Sequence, residues 1–125
     1  MEFFDSEAVA GSAKRVITSA AEAGNCVIVG RGGQCVLQGR TDVLHVFIYG
    51  PWGERVARVR SRVEATEDAG ELIQSADQER AAYIRTYHGC DWKDPHLYQL
   101  MISSQIGIES AAFLIVEAVL GAGRN

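Results

Sequence analysis

Arginine is the residue type best placed to do chemistry in this chain. It outnumbers lysine ten to two, and a guanidinium can grip a phosphate through two parallel hydrogen bonds. Three placements concentrate that chemistry. Arg31 stands in Gly30-Arg31-Gly32-Gly33, directly after the apolar run Cys26–Val29. Glycines let backbone approach a ligand closely, and a short helix starting near Gln34 would add free N–H groups for an anion. The plainer alternative is a turn arginine paired with a nearby carboxylate. Arg55, Arg58, Arg60 and Arg62 form the second cluster. On a helix Arg55, Arg58 and Arg62 fall along one side, where they repel unless a polyanion or carboxylates sit opposite. The alternative is a solvated face with Glu54–Arg58 and Arg60–Glu64 as local i,i+4 pairs. The third is Asp77-x-x-Arg80, with Arg85 beyond it. One helical turn separates Asp77 from Arg80, and a carboxylate that fixes an arginine pre-organises it for phosphate. An ordinary surface pair is the competing reading.

Other chemistries find little support. His88, Cys90, Asp91 and His96 match no standard zinc spacing, so no metal site is expected. Three cysteines without a CxxC argue against a disulfide framework and for reduced thiols. There is no nucleophile elbow, no GxGxxG, and no GxxxxGKS or GxxxxGKT loop for nucleotide phosphates. Tyr87, Trp92 and Tyr98 read as packing residues rather than a base-stacking platform. A net charge of −4 argues against nucleic-acid polymers and membrane surfaces as partners. No apolar run reaches the length of a membrane span, and no signal-peptide pattern opens the chain, so a cytoplasmic location is expected. The 125 residues, 47% of them hydrophobic, suit one domain with a real core.

The elements that must hold these residues follow from periodicity. Val9, Ala13, Val16, Ile17 and Ala20 repeat at helical spacing up to Gly24-Asn25, both tolerant of the left-handed conformation. Cys26–Val29 and Val43–Tyr49 read as strands buried on both faces, as in a parallel sheet. Pro51 favours the first turn of a helix, which carries Trp52, Val56, Val59 and Val63 as its apolar stripe. A polar interruption precedes a helix over Glu71–Tyr87. A loop follows, then a strand over Tyr98–Ser103 and a last amphipathic helix from Ile108 to Val119. Strands alternating with helices predict an α/β fold, a three-layer parallel sheet with flanking helices. Ligands in such folds bind at the carboxyl ends of the strands, which here are Arg31, Tyr49-Gly50-Pro51 and Ser103-Ser104.

Three stretches taken in order resemble a known family. They are Asn25 to Gly32 (NCVIVGRG), Asp42 to Tyr49 (DVLHVFIY) followed by Pro51 and Glu54-Arg55, and Asp77-x-x-Arg80-Ala81-x-Tyr83 followed by Asp91-Trp92-x-Asp94-Pro95-x-Leu97-Tyr98. The set resembles the cytidylate-kinase-like P-loop nucleoside-monophosphate kinases. The resemblance implies a single domain over residues 1–125, the C-terminal two-thirds of the family fold, with a mobile lid at about 55–85. It implies phosphoryl transfer from ATP to CMP or a similar monophosphate. Arg58, Asp77 and Arg80 match its catalytic positions, and Arg31, Gly32, Arg80 and Arg85 match those around the acceptor nucleotide. Two departures stand out. Gly32 occupies a position where classical cytidylate kinases carry an acid, which weakens any claim to cytosine specificity. The family's opening strand, phosphate loop and helix have no counterpart here, so the expected fold is incomplete and lacks strand 1.

These observations lead to specific expectations. The chain alone is inactive, and ATP and Mg2+ enter only if the loop comes from elsewhere. The ligand is a nucleoside monophosphate or a phosphate-like anion. A homo-oligomer, or a partner supplying strand and loop, fills the gap in the sheet. The alternative is a non-catalytic nucleotide- or anion-binding module, or one whose role is self-association.

Overall fold

The computed structural model describes residues 6–64 and 66–122. It is built from five α-helices and two strands among the described residues: α1 (Ser6–Ala23), α2 (Gly33–Val36), β1 (Val46–Tyr49), α3 (Trp52–Arg60), α4 (Ala69–His88), β2 (Leu100–Ser103) and α5 (Ile108–Ala122). Short 3-10 turns at Pro95–Leu97 and Ser104–Ile106 flank β2. No helix among the described residues is long and apolar enough to cross a membrane.

The chain packs as two units. The first comprises Met1–Val43 with Ala81–Leu97. Its core is Ala10 and Ile17 of α1, Leu37 after α2, Ile84 of α4, and Leu97. Ala10 and Ile17 lie seven residues apart, two turns on one helical face. Val16, expected on that stripe, is instead exposed. α1 stops at Gly24 and Asn25, which take φ of 76° and 52°, the left-handed ending their types favour.

Leu44–Arg80 and Tyr98–Asn125 form the second unit. β1 and β2 pair in parallel there, in the register Val46↔Leu100 to Tyr49↔Ser103. Both begin two or three residues later than their apolar runs. The cause lies in the His45 backbone. Its N–H donates to the Gln99 side chain at 2.7 Å, and its carbonyl accepts from both Gln99 and Leu100. The regular ladder starts only beyond that knot. Ile102, Ala69, Ile73 and His45 are buried in this unit. α3 follows Pro51, whose φ of −61° and ψ of 146° feed the first turn. α4 opens two residues earlier than its periodicity suggested, because Asp68 Oδ1 accepts the Glu71 amide at 3.2 Å as a cap.

One expected strand does not form. Cys26–Val29 is irregular and joins no ladder among the described residues, and Val27 and Val29 are 90% and 86% exposed. The three-stranded, three-layer sheet is thereby corrected to a small two-stranded parallel sheet with flanking helices. A run of β-branched residues forms a strand only where a neighbour takes its backbone groups.

Candidate functional site

Asp77 organises the clearest constellation of charge. It sits on α4, about two turns past the helix start, with its side chain 20% exposed. Arg55, on α3, reaches it with two parallel hydrogen bonds, Nη1 to Oδ2 at 3.0 Å and Nη2 to Oδ1 at 2.9 Å. Arg80 Nη1 donates to the same Oδ1 at 3.0 Å. One carboxylate thus holds two guanidiniums, and bidentate pairing fixes the plane of the first. The hydrogen bonds from Arg55 hold the Asp77 carboxyl below its ordinary range against the opposing effect of burial, and the Arg55 and Arg80 charges add to the depression. The same bonds raise Arg55. Arg80 is the more exposed of the two cations, its side chain 47% accessible. Asp77 orients it from one side.

The i,i+3 pairing of Asp77 with Arg80 follows from their spacing. The Arg55 contact crosses 22 residues of sequence and was not anticipated. The signal was the crowding of arginines on α3, which repel unless a polyanion or carboxylates sit opposite. Asp77 answers it, and neither Glu54–Arg58 nor Arg60–Glu64 forms an ion pair among the described residues. Arg58 and Arg60 are exposed in the last turn of α3. Arg62 lies beyond the helix, in a turn closed by its own N–H on the Val59 carbonyl, so the expected line of three arginines is cut to two. Arg85 is exposed near the end of α4.

Arg31 is carried by a left-handed turn. Gly30, Arg31 and Gly32 take φ of 75°, 58° and 75° in succession, and the Gly33 amide closes the turn on the Gly30 carbonyl at 3.2 Å. Position 32 requires glycine twice over, since a Cβ there would stand 2.5 Å from His88 Cδ2. The His88 ring packs against this glycine. Burial lowers the pKa of His88 most, Lys14 lowers it further, and the Arg31 backbone opposes both. Its Nε2 is buried without a hydrogen-bond partner, as is the hydroxyl of Tyr83, whose ring meets the imidazole edge-on at 5.4 Å. In the sequence His88 was legible only as the end of a helix and as a member of a grouping without zinc spacing. Its role as the seat of the Arg31 turn depends on contacts that no spacing reveals. α2 is a single turn of four residues, too short for the helix-terminal anion site anticipated near Gln34.

Cys35 and Cys90 are bonded to each other, 55 residues apart in sequence. This corrects the expectation of reduced thiols, for cysteine spacing cannot show which loops the fold brings together. Cys26 remains free and exposed. With the Cys90 sulfur so engaged, the His88–Cys90–His96 grouping is not a ligand set. No three His, Cys, Asp or Glu side chains gather as metal ligands among the described residues. Both Asp77 oxygens are occupied by guanidiniums, so the carboxylate best placed near the arginines does not fit a magnesium ligand. At the strand ends, Ser104 Oγ is buried without a partner and fills the space a Cβ on Gly50 would need. Ser103 Oγ accepts the Gln105 amide at 3.2 Å.

Comparison with known proteins accords with the motif order. Residues 2–106 match the cytidylate kinase-like family. A cytidylate kinase from Methanosarcina mazei is 30% identical over 83 residues, covering 65% of this chain and 46% of that protein. The chain therefore spans about half the length of that relative. A crystal structure of an uncharacterized protein from Eubacterium ventriosum superposes with a TM-score of 0.80 at 22% identity, over 95% of this chain and 69% of that one, a likeness of fold alone. On the extent of the family match, this chain belongs to the cytidylate kinase-like family.

Proposed function

We propose that these residues form the acceptor-side portion of a nucleoside-monophosphate kinase-like protein and bind a monophosphate such as CMP. The observation that carries this reading is the Arg55–Asp77–Arg80 constellation. A phosphoryl group in transfer is stabilised by positioned positive charge. Arg80 is positioned by a carboxylate that Arg55 itself holds in place, which orients the cation in advance of a ligand. Arg58 and Arg85 keep the roles that the family positions imply, on an exposed lid over about 55–85 and on the acceptor side respectively. Arg31, exposed on its left-handed turn, and Gly32 keep the acceptor-side role that the family positions imply.

The 125 residues contain no glycine-lysine phosphate loop. Alone, therefore, they bind the acceptor without transferring phosphate from ATP, in the cytoplasm. Calorimetric titration with CMP, AMP and ATP tests this. CMP or AMP should bind, ATP should not, and Arg80→Ala should weaken binding about tenfold, the loss of roughly one charge-assisted contact. Robust CMP-dependent ADP formation by the purified chain, abolished in Arg80→Ala, would refute the loop-less reading. Affinity unchanged from the wild type in both Arg31→Ala and Arg80→Ala would refute the acceptor reading.

A second reading concerns assembly. Val27 and Val29 are almost fully exposed, and α5 turns Phe113, Val116, Val119 and Leu120 to solvent at 53–65%. Apolar exposure on this scale marks a surface that is covered in the working protein. We propose that self-association, or a partner contributing a strand and the loop, covers it. Light scattering at several concentrations reads the outcome, and a monomer at every concentration would refute self-association.

A further inference from the structure

The turn that carries Arg31 is tied to the end of α4 in two ways. One tie is the His88 ring, which packs on Gly32. The other is covalent. Cys35, in α2, lies two residues past Gly33, and Cys90 lies two residues past His88. Their Cα atoms stand 6.2 Å apart, a span that disulfides commonly bridge. Both residues are half-buried rather than sealed in the core. A third cysteine, Cys26, stays free and exposed in the same packing unit. An exposed free thiol in a chain that also holds a disulfide fits a compartment that keeps thiols reduced, and there disulfides are transient and redox-sensing.

We propose that the Cys35–Cys90 bond is a reversible redox clamp on the Arg31–Gly33 turn. Formed, it holds the turn against α4 with Arg31 presented. Opened, it leaves only the His88 contact, and the turn samples other conformations. The opening is a two-electron exchange with a dithiol. One thiolate of the dithiol attacks a sulfur of the pair and forms a mixed disulfide, and its second thiol then releases the remaining cysteine. The products are two cysteine thiols and an oxidised dithiol. The consequence for phosphate affinity rests on the proposed role of Arg31, whereas the clamp itself does not.

The test uses the full chain carrying Cys26→Ser, so that the only thiols are those of the pair. Air-oxidised protein is compared with protein reduced by dithiothreitol and with a further Cys90→Ser variant, and alkylation mass confirms each state. Amide hydrogen exchange over residues 31–37 reads the turn, and CMP titration reads the site. Reduction and Cys90→Ser should each speed exchange in that segment about tenfold, as expected for a tether lost from a local opening unit, and CMP affinity should fall in parallel. Exchange that is the same in all three forms would overturn the clamp, whatever CMP does. Loss of far-ultraviolet circular dichroism on reduction would also overturn it, since the bond would then be a folding staple. Faster exchange with no CMP binding in any form would support the clamp and refute the phosphate role of Arg31.

Discussion

Replacing Asp77 with asparagine removes one charge while keeping the shape of the side chain. In the wild type its carboxylate accepts two bonds from Arg55 and one from Arg80. The Arg80 pair is nearly half exposed, so screening leaves it worth only about 0.3 kcal/mol. Arg55 is about a third exposed and bidentate, which places its pair near the top of the surface range, about 1 kcal/mol. An asparagine amide also presents an N–H towards a guanidinium that needs an acceptor, and the lost bond adds a further ~0.5 kcal/mol. The total is about 1–2 kcal/mol. For a chain of this size that corresponds to a fall in Tm of roughly 3–8 °C at pH 7. The pH dependence follows from linkage. The folded protein holds Asp77 below its ordinary 3.8, so the unfolded chain binds the proton more readily. The stabilisation is complete above that ordinary value and is lost as pH falls through the lower folded pKa. Thermal melts of wild type and Asp77→Asn should therefore differ fully at pH 5–7 and converge in stronger acid. A gap below 1 °C at pH 7, or one that persists undiminished in acid, would show that the constellation does not hold α3 to α4 as described.

Two further outcomes test the Arg31 turn. Gly32→Ala combines a left-handed φ of 75° with a Cβ that meets the His88 ring, whereas Gly39→Ala meets nothing within 4 Å at φ 83°. Both should lose about 1 kcal/mol to backbone strain, and only Gly32→Ala should lose about 1–3 kcal/mol more as His88 is displaced, read by urea denaturation. His88 is held below its ordinary pKa chiefly by burial, so it stabilises the fold above pH 6.5 and ceases to as pH falls through its lower folded value. His88→Gln should flatten the stability profile in that window, and an unchanged acid limb would show that His88 is not buried neutral against the turn.

Local chemistry was the legible part of this chain. The left-handed stop at Gly24-Asn25 and the helix after Pro51 are each decided within a few residues. The sequence could show that Asp77 and Arg80 share a helical face. It could not show that Arg55 is their third member, because the contact joins α3 to α4 across the intervening turn. The Cys35–Cys90 pairing and the seat that His88 makes for Gly32 were hidden for the same reason. Both are closures over more than fifty residues, and nothing local records them.

Cys26–Val29 is the instructive failure, because its composition argument was sound. The run is β-rich and apolar, and such residues belong in a strand covered on both sides. A strand, however, belongs to a ladder and not to its residues alone. Its N–H and C=O groups need a neighbour, and its valines need something to lie against. Among the described residues neither is present, and Val27 and Val29 stand in solvent. The same logic applies to α5, whose Phe113 and Val116 stand exposed. Buried-type sequence at exposed positions in two separate elements has a common physical meaning. These residues are patterned for contacts that the described residues do not make with one another.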